Sequence, residues 1–315
     1  MNFAKITIAS FLLFILGILL LSQSIPITTG SKTVNSFVSG LREISSRSQT
    51  SPPEIPKLFP YPVPLKDFKV APPVSGRSAV VIDAKTGLTL FEKDPNIRHL
   101  PASTAKLMTA IVALEICDPE QLVRIGYVEP EPAVMGLKTG DLVSIKTLLY
   151  GLLMASGNDA AYALSYSCAA STEEFVREMN EKAKELEMRN TNFSNPAGFD
   201  SQNQYTTARD LAKLAKVAIA SPLIAKIVAT RQTVVTDAVN LKTYYLQNIN
   251  KLLGEVEGIE GIKTGQTEGS LEVLVTQTTR GGNTIIAVVL GSEDRFLDSK
   301  QLIEWAFTHY EWINP

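Results

Sequence analysis

Apolar residues fill Ile6–Leu21 without a single charge, behind Lys5, and only Thr7, Ser10 and Gly17 interrupt the strongly apolar set. That length falls between a signal-peptide core and a membrane span. The exit, Ser22-Gln23-Ser24-Ile25-Pro26, lacks an Ala-x-Ala site, so the expectation for residues 1–22 is an uncleaved anchor with its N-terminus inside. Over 31–48, Val34, Phe37, Val38, Leu41 and Ile44 keep helical spacing and predict a short surface helix, weakened by Gly40. Residues 52–73 hold eight of the 17 prolines, and 23–75 reads as a semi-rigid tether.

From Ser78 the pattern changes. Ala79–Asp83 and Leu88–Glu92 read as a hairpin around Ala84-Lys85-Thr86-Gly87. Helical periodicity then dominates from 103 to about 220, with helices expected at Ile145–Ala155, Asp159–Ser167, Thr172–Glu187 and Ala208–Ala220. Strand signals return at Glu272–Thr278 and Thr284–Leu290 around the turn Arg280-Gly281-Gly282-Asn283. Leu297–Trp312 reads as a closing amphipathic helix, with Leu302, Ile303, Ala306 and Phe307 on one face. Strands at both ends of 76–315 and helices between them predict an α/β (α+β) domain. Its antiparallel sheet is formed from both chain ends with a helical subdomain inserted.

Composition narrows the chemistry. A formal charge of −2 gives no electrostatic case for nucleic acid. The two cysteines, Cys117 and Cys168, and the two histidines, His99 and His309, show no metal-ligand spacing, and no metal or cofactor is expected. A Cys117–Cys168 bridge is open to the chain, but the expectation is two buried thiols. Both histidines lack a catalytic context and read as structural.

Three groups remain. Pro101-Ala102-Ser103-Thr104-Ala105-Lys106 leads into an apolar helix, which sets a hydroxyl and an amine three residues apart on one face in the first turn. An amine held there can activate a serine without a histidine. Ser156-Gly157-Asn158 ends the apolar run Leu148–Ala155, and such a turn aims a hydroxyl and an amide into a cleft. Lys-Thr-Gly occurs three times; Lys85-Thr86-Gly87 and Lys138-Thr139-Gly140 fit turns, whereas Lys263-Thr264-Gly265 leads into the returning strands. There it presents a second cation, with a glycine that permits close approach.

In that order the three groups resemble the motif set of the serine β-lactamase and penicillin-binding protein superfamily. More closely, the chain is similar to the low-molecular-weight D-alanyl-D-alanine carboxypeptidases. Leu100–Ser103, Ser156–Ala161, Asn195-Pro196-Ala197-Gly198, Tyr205–Asp210 and Gly258–Gly265 carry the resemblance, which runs from about Ser78 to Phe307. It implies a β-lactamase/transpeptidase-like fold and hydrolysis of the terminal D-alanine from peptidoglycan stem pentapeptides through an acyl-enzyme. Ser103 would be the nucleophile and Lys106 the general base, favoured in its neutral form by Lys263. Ser156 would relay the proton to the leaving amine, and Asn158 would hold the substrate amide. The oxyanion would lie between the N–H groups of Ser103 and Gln266, and Thr264, Gly265 and Arg295 would bind substrate, Thr264 and Arg295 at its terminal carboxylate. β-Lactam antibiotics would be covalent inhibitors, at the outer face of a bacterial cytoplasmic membrane if the first segment is retained, periplasmic or secreted if it is cleaved.

The alternative within the fold is a D,D-endopeptidase cutting crosslinks. A β-lactamase fits less well, since no deacylating glutamate motif is found and Gly157 replaces the aspartate of its second motif. A non-catalytic peptidoglycan-binding module conflicts with an intact Ser103, Lys106 and Lys263. The sequence departs from the family at Ser270-Leu271, where an Ala-Gly pair is usual, which puts the acyl side of the cleft in question. The family's frequent C-terminal β-domain and amphipathic helix have no counterpart here, which favours the N-terminal anchor.

Overall fold

The central sheet lies between two apolar layers, and its middle strands are therefore buried along their length instead of alternating. The computed structural model describes residues 60–65, 70–128, 134–239 and 241–314. The expected anchor, the 31–48 helix and the start of the tether lie outside the described residues. In chain order come β1 (Tyr61–Pro64), β2 (Ser78–Asp83) and β3 (Thr89–Lys93), then a 3-10 turn, Ala102–Ala105, that runs into α1 (Lys106–Ile116). The short strands β4 (Leu122–Arg124) and β5 (Leu142–Ser144) precede α2 (Ile145–Met154), α3 (Asn158–Cys168), α4 (Thr172–Glu185), α5 (Ala208–Ala220) and α6 (Pro222–Ala229). A hairpin of β6 (Gln232–Thr236) and β7 (Thr243–Gln247) follows. β8 (Ile259–Thr267), β9 (Leu271–Arg280), β10 (Asn283–Ser292), α7 (Arg295–His309) and β11 (Tyr310–Ile313) complete the described chain.

The main sheet is antiparallel in the order β3-β2-β10-β9-β8, so the first hairpin pairs with the last strands, Val80 opposite Val288. One face packs Ala79, Val81, Ile285, Ala287 and Val289 against Leu302, Ile303 and Ala306 of α7. The other gives Val80, Ile82, Val273, Val275, Ile286 and Val288 to the larger helical core. At about 1.5–3 kcal/mol for each large side chain fully removed from water, this double covering stabilises β2, β9 and β10, and β8 pairs with β9 at the sheet edge. Helix α1 is buried from Lys106 through Ala113, as a helix apolar on all sides must be. Helices α2, α4, α5 and α6 start at Ser144, Ser171, Thr207 and Ser221, whose side chains accept from the first-turn N–H groups.

The structure corrects several expectations. The closing helix starts at Arg295, because the Asp294 carboxylate caps the N–H groups of Phe296 and Leu297, and it ends at His309. Tyr310–Ile313 then pairs with Tyr61–Pro64, so the tether does not extend to residue 75. Pro62 and Pro64 lack donors, which a short two-stranded ladder tolerates. Asp298 further secures this region by accepting from the backbone N–H groups of Ser75 and Gly76 at 2.9 and 2.8 Å. The cysteines are not free thiols: Cys117 and Cys168 form a disulfide with their Cα atoms 5.6 Å apart. Helices α1 and α3 pack side by side and end at the same level, which brings together residues 51 apart in sequence. Helix α6 and the β6–β7 hairpin were not expected. No helix among the described residues is long and apolar enough to cross a membrane.

Candidate active site

Ser103 lies in the 3-10 turn, and Lys106 is the first residue of α1. The expected single helical turn is thus tighter at its start, after Ala102 with a φ of 46°. Two glycines let the neighbouring backbone reach this turn. A Cβ on Gly265 of β8 would stand 2.8 Å from the Ser103 nitrogen, and one on Gly198 would stand 1.9 Å from the Ala102 oxygen. Neither position can accept a side chain without displacing the nucleophile's backbone.

Lys106 is fully buried. Its Nζ lies 2.8 Å from Ser103 Oγ, 2.8 Å from Asn158 Oδ1 and 2.5 Å from the Ala197 carbonyl. Burial pushes its pKa well below the ordinary lysine value and nearby Lys263 adds to that, while Asp159 opposes both. A neutral amine has two N–H donors and one lone pair. Asn158 Oδ1 and the Ala197 carbonyl can only accept, so they take the two N–H groups and the lone pair meets the Ser103 hydroxyl.

Ser156 sits between α2 and α3 with a φ of 58°, an uncommon conformation for a residue with a side chain. Lys263 Nζ lies 3.0 Å from its Oγ and 2.9 Å from the Thr264 carbonyl. Burial, and then the Arg295 charge, lower the Lys263 pKa to about 7. Asn158 opens α3, and Asp159 beside it accepts from the N–H groups of Met135, Gly136, Leu137 and Ala160 at 2.8–3.0 Å. This carboxylate at a helix N-terminus holds the 135–137 backbone against the site.

The strand side is built differently. Lys263, Thr264 and Gly265 are buried on β8, and the Thr264 hydroxyl has no hydrogen-bond partner. Arg295, at the head of α7, donates from Nη1 to the Gly265 carbonyl at 3.0 Å and to Gln266 Oε1 at 3.4 Å. Glu272 on β9 lies 3.5 Å from Nη1 and accepts from the Arg295 backbone N–H at 2.9 Å, whereas Arg295 Nε is buried and unpartnered. Gln266 stands opposite Glu272 in the β8–β9 ladder. Leu271 adopts a φ of 56°, a left-handed conformation uncommon for a residue with a branched side chain. The turn before it is tied down: Asp200 accepts from the Thr267 hydroxyl at 2.7 Å and from the Gly269 N–H at 3.0 Å.

The residues singled out for nucleophile, base, relay and substrate binding are thus linked by contacts into one cluster where the 3-10 turn, the α2–α3 junction, β8 and the head of α7 meet. His99 and His309 stand apart from it in structural contacts, His99 with Ser78 Oγ at 2.8 Å and His309 with the Trp305 carbonyl at 2.8 Å. Sequence reasoning missed the Ala197 carbonyl, Asp159 and Glu272. The carbonyl has no side-chain signal, although Asn195 in Asn-Pro-Ala-Gly marks its loop: Oδ1 accepts from the Gly198 and Phe199 N–H groups at 2.7 and 2.9 Å. Asp159 could have been found as an acidic residue in the first turn of a helix.

Residues 66–294 match the model of the peptidase S11 family, described as D-alanyl-D-alanine carboxypeptidase. The chain is 34% identical over 245 residues to the D-alanyl-D-alanine carboxypeptidase DacF of Bacillus subtilis, covering 75% of this chain and 63% of that protein. With DacC of Escherichia coli it is 32% identical over 262 residues, covering 78% and 64%. Against the D-alanyl-D-alanine carboxypeptidase of Streptomyces sp. strain K15 it is 32% identical over 257 residues, covering 75% and 88%. The alignments with DacF and DacC therefore span less than two thirds of those proteins. The crystal structure of the Streptomyces K15 DD-transpeptidase superposes with a TM-score of 0.70 at 29% identity, covering 76% of this chain and all of that one. The fold is thus the β-lactamase/transpeptidase-like one.

Proposed function

The chain belongs to the D-alanyl-D-alanine carboxypeptidase family, and from that premise we propose that it is a serine-type D-Ala-D-Ala carboxypeptidase acting on peptidoglycan stem pentapeptides. The observation that carries this reading is the buried Lys106 amine, whose three partners include a single proton donor, Ser103. In the neutral form that burial favours, Lys106 takes the Ser103 proton as Oγ attacks the carbonyl of the terminal peptide bond. The N–H groups of Ser103 and Gln266 stabilise the oxyanion. Collapse expels D-alanine, whose nitrogen takes a proton through Ser156, itself 3.0 Å from Lys263. Water then attacks the Ser103 ester and releases the shortened peptide.

Asn158 has two tasks, holding Lys106 and receiving the substrate amide. The unpartnered Thr264 hydroxyl and the guanidinium of Arg295 receive the terminal carboxylate. β-Lactams acylate the same serine. The enzyme works outside the cytoplasm, at the membrane face if residues 1–22 serve as an anchor; the Cys117–Cys168 disulfide supports an oxidising compartment.

A labelled penicillin is expected to acylate the full chain at Ser103, and the purified protein to release D-alanine from a pentapeptide, with both lost in Ser103→Ala. Labelling of the alanine variant at the parent rate sinks the assignment.

A further inference from the structure

The β8–β9 ladder brings a carboxylate beside the guanidinium that would receive the substrate. Gln266 and Glu272 are partners in that ladder, and both reach Arg295. The side-chain contacts of Arg295 run through one nitrogen: Nη1 lies 3.0 Å from the Gly265 carbonyl, 3.4 Å from Gln266 Oε1 and 3.5 Å from Glu272 Oε1. Nη2 makes no hydrogen bond or ion pair among the described residues. Glu272 Oε2 separately accepts from the Arg295 backbone N–H at 2.9 Å, which ties the first residue of α7 to β9.

Another pair of the same residue types is arranged differently. Glu304 takes the Arg280 guanidinium as a fork, with Nη1 at 2.9 Å and Nη2 at 2.6 Å, so both outward nitrogens are engaged. Glu272 makes an ion pair with Arg295 at 3.5 Å but no hydrogen bond to its guanidinium. It supplies charge without consuming a donor. Both side chains are largely withdrawn from solvent, so water screens that charge little. Burial pulls the Arg295 pKa below its ordinary value, and Glu272, then Asp294, oppose that shift. The Asp294 carboxylate is already engaged by the N–H groups of Phe296 and Leu297, which leaves Glu272 as the main counter-charge. On β8, Lys263 is a second cation close enough to feel the Arg295 charge. Without Glu272, an arriving carboxylate would meet an arginine and a lysine with little to offset them.

We propose that Glu272 is a positioning residue that sets how firmly the Arg295 end of the cleft holds an anion. The proposal rests on the functional reading above and adds a determinant to the same site. Through Oε2, Glu272 fixes the backbone from which Arg295 projects. Through Oε1 it offsets the guanidinium charge while leaving Nη2 for a ligand. A carboxylate is then recognised by the direction of the N–H groups more than by net charge. An arginine without this balance would hold substrate and product alike, and binding shared by every state lowers KM without raising kcat. The counter-charge lets the product amino acid depart with its own carboxylate.

Glu272→Gln isolates the charge, since its amide oxygen can still accept from the Arg295 N–H. The full chain and its Glu272→Gln and Glu272→Asp forms are assayed with a peptide ending in D-Ala-D-Ala and with the same peptide ending in a carboxamide. Free D-alanine is also titrated against acylation by subsaturating penicillin. In Glu272→Gln, the KM for the acid-ended peptide and the D-alanine concentration that halves acylation should both fall about fivefold, the scale of a partly exposed ion pair. The KM for the carboxamide should hold, and Glu272→Asp, which keeps the charge, should behave as the parent. An equal shift for both peptides, a raised KM for the acid, an unchanged D-alanine midpoint, or Glu272→Asp matching Glu272→Gln overturns the proposal. Labelling counts only folded molecules, so the D-alanine midpoint is read even where the melting temperature falls. Penicillin labelling of the parent separates the two readings. A labelled parent with an unchanged midpoint in Glu272→Gln defeats the role of Glu272 alone, and an unlabelled parent defeats the acyl-transfer reading beneath it.

Discussion

The two walls of the cleft differ in how far their polar groups are satisfied. On the helical side, each contact of Lys106 has a partner, and the Asp159 carboxylate accepts four N–H groups. On the strand side, the Thr264 hydroxyl and Arg295 Nε are buried without partners, and Arg295 shares its charge with Glu272 across 3.5 Å. A wall that is complete before substrate arrives is suited to generating a nucleophile. A wall with unmet donors is suited to receiving an anion, because buried donors without acceptors gain most when one is supplied. In the proposed mechanism the division would leave the base on the helical side and carboxylate recognition on β8 and the head of α7, with Lys263 of β8 reaching across to Ser156.

The largest expected effect comes from opening the closed wall. Lys106→Met keeps much of the volume and removes the proposed base, so penicillin acylation should slow about 10³-fold, within the usual range for a lost general base. A variant that acylates within tenfold of the parent would break the comparison. On the open wall, Thr264→Val should raise KM about tenfold for peptides ending in a carboxylate, with little change for the same peptide ending in an amide. Its melting temperature should hold or rise, since the hydroxyl removed is buried and unpartnered. A melting temperature that falls with KM unchanged would mean the hydroxyl serves structure.

The smallest effect sharpens the comparison through pH. Lys263 titrates near 7 in the folded chain, below the ordinary 10.5, because burial and Arg295 disfavour its charge. Between those values the unfolded chain carries the extra proton, so this group's contribution to stability rises with pH and its penalty is fullest below 7. The slope should approach about 1 kcal/mol per pH unit between pH 8 and 9, where a full proton difference corresponds to about 1.4 kcal/mol. Urea midpoints of the parent and Lys263→Met over that range measure it. Parallel curves for the two proteins would show that Lys263 stays charged in the folded chain throughout that range.

The helical wall was the more legible in the sequence. Ser103 and Lys106 share a turn, and Ser156 and Asn158 a junction, so local spacing was enough to bring each pair together. Lys263 and Thr264 could be read because a strand follows them. Arg295 and Glu272 meet only through the pairing of β8 with β9 and the docking of α7, which no local pattern encodes. The Ala197 carbonyl is backbone and has no signature of its own. The β6–β7 hairpin escaped notice because its alternating faces, exposed at Gln232, Val234 and Thr236, are mostly polar and joined by an unremarkable turn. The disulfide was missed for a similar reason: 51 residues separate two cysteines whose meeting depends on the packing of α1 with α3.

The ladder between Tyr61–Pro64 and Tyr310–Ile313 closes the described domain into something near a ring. The point at which the described domain's chain starts is therefore not something the cleft depends on. Joining Ile313 to Tyr61 by a short linker and opening the backbone between Gly281 and Gly282, where a side chain would meet nothing within 4 Å, would interrupt no strand of the main sheet. Such a circular permutant would begin with β10 and end with β9; Ser103 and Lys263 would keep their separation, Arg295 would come to precede both along the chain, and all three would reach the same places in space.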